Sequence, residues 1–128
     1  MPTRTIKGTL NNLQLSSGTT EITYLGPTLA GNTGDLLRGF RVNPSTTGDI
    51  IIRIDKSTAL LDVEIFQEDA YNTGNAPTGY RKIFNIDKAG KGKGAVAVTV
   101  TDATKNYVVL LTFDSYADAE YVGTVIVP

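Results

Sequence analysis

The chain has no cysteine, no histidine and no tryptophan, and only one methionine among its 128 residues. Without cysteine there are no disulfides, thiolate nucleophiles or thiolate zinc ligands. Without histidine, the usual general base of neutral pH is gone and so is the commonest metal ligand. Carboxylates, lysines, serines and tyrosines remain, yet they form no recognisable catalytic constellation, so neither enzymatic activity nor a cofactor is expected. The missing tryptophan removes the flat indole platform on which sugars most often stack. Charge is sparse and balanced, with 12 basic against 13 acidic residues and a net charge of -1. Nucleic acid and anionic membranes call for clustered positive charge, so neither is expected as a partner. No window approaches the roughly 20 apolar residues that cross a bilayer. The opening Met1-Pro2-Thr3-Arg4-Thr5 lacks the apolar core of a signal peptide, and synthesis in a cytoplasm is expected.

What fills the chain instead is alternation. In Asp49-Ile50-Ile51-Ile52-Arg53-Ile54-Asp55, the residues Ile50, Ile52 and Ile54 share one face while Asp49, Arg53 and Asp55 share the other. Leu61, Val63 and Ile65 repeat the pattern against Asp62 and Glu64, and Val96, Val98 and Val100 repeat it against Ala97 and Thr99. A period of two marks a strand with one buried face. Nine strands are expected: Thr3–Leu10, Thr19–Leu25, Leu36–Val42, Asp49–Ile54, Leu60–Gln67, Arg81–Ile86, Ala95–Thr101, Asn106–Phe113 and Tyr121–Val127. Turn-forming clusters such as Ser16-Ser17-Gly18 and Asn43-Pro44-Ser45 separate them. Helical patterning is confined to a possible turn at Ala117–Tyr121. The fold class is therefore all-β: an antiparallel, jelly-roll-like β-sandwich in a single domain over residues 1–128, with residues 1–7 either strand one or an N-terminal arm laid on another subunit.

The expected core holds Ile22, Phe40, Val42, Ile50, Ile52, Ile54, Leu61, Val63, Ile65, Phe84, Ile86, Val96, Val98, Val109, Leu111 and Ile126. Asn106–Phe113 is apolar on both faces, which implies either a central strand with something packed over it, the favoured reading, or a strand at an interface.

Three loops stand out as contact surfaces. Gly26–Gly34 carries Leu29 at its tip, and Glu68–Arg81 is the longest irregular segment, with Tyr71, Asn75 and Tyr80. Lys88–Gly94 presents Lys91 and Lys93 between the glycines Gly90, Gly92 and Gly94. A phosphate-cradling role for that glycine loop would need a helix after it, whereas a strand follows. Leu29, Tyr71, Asn75, Tyr80, Lys91 and Lys93 are the candidate partner-binding residues. Asp114, Asp118 and Glu120 place three carboxylates in one loop, an alternative calcium set, but without the spacing or the glycine of an EF-hand. No metal site is expected otherwise.

Two resemblances bear on function. Phe40-Arg41-Val42, then Gly48–Ile54, Leu61-Asp62-Val63-Glu64-Ile65-Phe66, Asn106-Tyr107-Val108-Val109-Leu110 and a closing strand Tyr121–Val127 resemble the bacterial pre-peptidase C-terminal (PPC) jelly-roll domains. Asn106 stands where that family has a glycine. The resemblance implies a glycan- or polymer-binding module, with calcium as a possible aid. In composition, rich in threonine, glycine, asparagine and alanine and free of cysteine, the chain resembles phage capsid decoration proteins. The leading expectation is a non-enzymatic virion component, a homo-oligomer that decorates or cements a capsid through contacts with the major capsid protein or other virion subunits.

Overall fold

A computed structural model describes residues 2–9, 12–26, 36–58, 61–74, 76–83, 94–113 and 120–128. Ten strands and one short helix follow in order: β1 (Thr3–Thr9), β2 (Asn12–Leu15), β3 (Ile22–Gly26), β4 (Leu36–Val42), β5 (Gly48–Ser57), β6 (Leu61–Gln67), α1 (Glu68–Asn72), β7 (Gly79–Ile83), β8 (Gly94–Val100), β9 (Tyr107–Phe113) and β10 (Tyr121–Ile126). They form two antiparallel five-stranded sheets, β2-β1-β10-β5-β8 and β3-β4-β9-β6-β7.

The pairings nest. β1 lies beside β10, β4 beside β9, β5 beside β8 and β6 beside β7, as if a long two-stranded ribbon had been wound around a core. That winding is the jelly-roll arrangement, and β2 and β3 are added at the outer edges of the two sheets. Its apolar filling comes from alternate residues of both sheets. Ile6, Phe40, Val42, Ile50, Ile52, Ile54, Leu61, Val63 and Ile65 meet Val109, Leu111, Tyr107 and Tyr121, all essentially without solvent contact.

Several expectations change. Residues 3–9 are strand one, bonded to β10 on one side and β2 on the other, with Ile6 fully buried, so this segment is no free arm. β2 had not been expected, because four residues give too little alternation to stand out. Glu68–Arg81 opens with α1 and closes with β7 rather than running as one loop. Ile126 lies half-buried on the outer face, and Val125 takes the core position. β10 has apolar residues on both faces, so its inward face is decided by pairing: Gly123 opposes Ile6, which puts Tyr121 and Val125 inside. Gly123 also lies where β5 shifts register, and a side chain there would collide with the Arg53 carbonyl. Phe84 and Ile86 lie outside the described residues.

Candidate functional site

The two outer faces of the sandwich differ. On the second sheet, the outer side of β9 is covered: Val108 and Leu110 are buried together with Phe66, and Leu25 and Tyr71 pack on them. The Tyr71 ring meets Phe66 edge-on at 5.3 Å and 70°. α1 is thus a lid on this face, too short to be stable on its own turns. It is held at one end by Arg41, which donates from Nε (3.0 Å) and Nη2 to Glu68 Oε1, and by Lys105, whose ammonium lies 3.3 Å from Asp69 Oδ2. The lysine hydrogen bond holds the Asp69 carboxyl below its ordinary range. Burial raises the Tyr71 phenol above its own.

Beside this apolar patch, β6 sets Asp62 and Glu64 on the same outer face, half-buried. Glu64 stands opposite Leu110 on one side and Tyr80 on the other. Burial, with the Asp62 carboxylate adding repulsion, raises the Glu64 carboxyl above the usual carboxylate range. This pair was not singled out in the sequence. The visible signal was there: two acids at i and i+2 inside an otherwise apolar strand.

The first sheet presents a different outer surface. Registers align Thr3, Ile126, Ile51 and Ala97 in one row across four strands, and Thr5, Thr124, Arg53 and Ala95 in the next. A third row runs Gln14, Lys7, Val122 and Lys56. Ile51, Val122 and Ile126 remain partly exposed there. The first of these rows is uncharged and built from β-branched and small side chains, while Arg53 in the second and Lys7 and Lys56 in the third bring positive charge. Two depressions of about 100 and 170 Å³ flank Val122 and share Lys7, Glu120 and Tyr121. No covering element lies on this face among the described residues.

No known protein family matches this chain, and none was found among curated proteins or solved structures.

Of the sequence candidates, Tyr71 belongs to α1 and packs its ring against Phe66. Tyr80 occupies β7 opposite Glu64. Beside α1, Glu68, Asp69, Thr104, Lys105 and Asn106 line an open polar depression of about 280 Å³. Glu120 precedes β10 on the surface, where it ties to the end of β5: its N–H donates to Thr58 Oγ1 (2.8 Å) and its carbonyl accepts from the Thr58 N–H (3.0 Å). Leu29, Asn75, Lys91, Lys93, Asp114 and Asp118 lie outside the described residues. Among the described residues no group of three or more acidic side chains is placed to hold a metal ion.

Proposed function

We propose that this protein is a non-enzymatic structural component that acts through protein–protein contact, as a decoration or cement protein on a phage capsid. The observation that carries the contact reading is the outer face of the first sheet, where Ile51 and Ile126 stand partly exposed in an uncharged row with Thr3 and Ala97. Within that row there is no charge to strip of water and no long flexible side chain to immobilise, so it forms contacts at low entropic cost, while Arg53, Lys7 and Lys56 in the neighbouring rows supply a basic flank. Contacts of this kind are modest singly and strong when repeated over a symmetric particle. The capsid as partner rests on composition and on the jelly-roll architecture, which viral coat domains share with many unrelated proteins.

The test is co-sedimentation of the untagged protein with phage capsids, comparing the native chain with an Ile51→Lys, Ile126→Lys double variant. Both positions face outward, so the far-ultraviolet spectrum should stay unchanged while particle binding drops at least tenfold. Native protein that fails to sediment with any capsid removes the virion reading. Full binding by the double variant removes this face from it.

A second reading, a PPC-like glycan or polymer binder, is supported by the polar depression beside α1, with Thr104, Asn106 and Asp69 placed to meet hydroxyl groups. A glycan array with and without calcium tests it. Binding that Tyr71→Ala and Tyr80→Ala both abolish would favour it over the capsid reading.

A further inference from the structure

A sheet edge exposes backbone N–H and C=O groups that invite another strand, and folded chains usually blunt their edges by shortness, charge, proline or bulges. Three of the four edges here carry such a device. β2 has four residues. β3 loses register between Tyr24 and Gly26. β7 has five residues and includes Arg81 and Lys82.

β8 has none of them. Its sequence, Gly94-Ala95-Val96-Ala97-Val98-Thr99-Val100, holds no charge and no proline. Its register with β5 runs unbroken from Ile54↔Gly94 to Gly48↔Val100. The inner side of the strand is satisfied within the chain: Val96 and Val98 are 7% exposed, and Gly79 of the facing sheet sits on them so closely that a β-carbon there would come within 2.6 Å of Val98 Cγ2. Among the described residues no strand pairs with the far edge, where every second residue directs its backbone groups away from β5.

We propose that β8 pairs antiparallel with β8 of a second copy of this chain, about a twofold axis at Ala97, to give one continuous sheet with five strands from each copy. The choice of a second copy rests on the strand's match to its own reverse. About Ala97, Val96 meets Val98, Ala95 meets Thr99, and Gly94 meets Val100. Buried valines then continue a buried row, and small exposed residues meet small exposed residues. Because the strand is neutral, self-pairing places no like charges opposite each other, the usual obstacle to isologous edge contacts. The same axis joins the uncharged row Thr3, Ile126, Ile51, Ala97 to its copy. This inference does not depend on which partner the outer face meets, since it concerns only the chain and its copy.

Sedimentation equilibrium of the untagged native protein, over a concentration series, should show a monomer–dimer equilibrium. Ala97 is exposed, so Ala97→Lys and Ala97→Glu keep the fold, which circular dichroism checks. At the axis each variant sets its new charge against itself and should be monomeric, whereas an equimolar mixture of the two should dimerise. The chain has no cysteine, so Ala97→Cys alone offers a further reading: air oxidation should link it into a dimer, while Thr3→Cys, at the distant side of the sheet, should not link. A native protein that stays monomeric up to about 1 mM overturns the proposal. So does a dimer that survives in both charged variants, because it would use another surface.

Discussion

Two glutamates of the same charge respond to acid in opposite senses. Arg4 donates from Nε and Nη2 to the two oxygens of Glu21, at 2.8 and 2.9 Å, with both side chains about one-fifth exposed. The arginine hydrogen bond holds the Glu21 carboxyl down from about 4.5 to about 2. A carboxyl whose folded value is depressed stabilises the fold above its unfolded value, and the contribution is lost as pH falls through the folded one. Glu64 is the reverse case. Its folded value is raised by burial, so its ionised form weakens the fold at neutral pH, and the penalty disappears once both states are protonated. Glu64→Gln should therefore raise the melting temperature at pH 7, with the gain fading to nothing below about pH 4. Glu21→Gln should lower it at pH 7, with the loss shrinking as pH falls toward about 2. Thermal melts of the three proteins across that range decide the matter, and parallel curves for the two variants would contradict both assignments.

At the scale of single elements, β1 is more than a boundary strand. It supplies Ile6 to the core, carries Arg4 to Glu21, and is bonded on both sides. Losing one buried aliphatic side chain costs about 2–5 kcal/mol, comparable with much of a domain's total stability of about 5–15 kcal/mol. Removing residues 1–9 also uncovers β10 and strips β2 of the strand it pairs with among the described residues. Such a deletion should yield a chain without a cooperative thermal transition. A truncated protein that melts normally would mean that the rest of the sandwich closes without β1. Most strands were legible in the sequence because alternation is local: Ile50, Ile52 and Ile54 announce a buried face without reference to anything distant. β2 and α1 were not, being shorter than the window over which a period can be read. In β10, Val122 and Ile126 on one face rival Tyr121 and Val125 on the other, so only the neighbour, Ile6 opposite Gly123, decides which face is buried. For the same reason the candidate surfaces were not legible. Which strands lie at an edge, and which outer face is covered, follow from pairing between residues far apart in the chain.

The whole molecule is organised by nesting. β6 and β7 pair within one stretch of chain, β5 and β8 enclose them, β4 and β9 enclose those, and β1 and β10 bring the two extremes together. Each outer pair closes a longer loop than the one inside it, and the cost of closure rises with loop length. Folds dominated by such distant pairings form slowly, on the scale of milliseconds to seconds. The two sheets also divide their labour. The second has an outer face partly roofed by α1 and braced by the Arg41–Glu68 pair, while among the described residues nothing covers the broad face of the first and no strand pairs with its β8 edge.

The closing pair has a mechanical consequence. Thr3 stands opposite Ile126, and the Val127 N–H donates to the Pro2 carbonyl at 3.0 Å. The two ends of this ribbon therefore emerge side by side from antiparallel strands. A pull that separates residues 2 and 127 loads the β1–β10 hydrogen bonds one after another, as a zipper opens, and not all at once as shear between strands would. Held by those two points, the sandwich should peel at low force. Gripped through the face of its first sheet, it shares the same load across many strands.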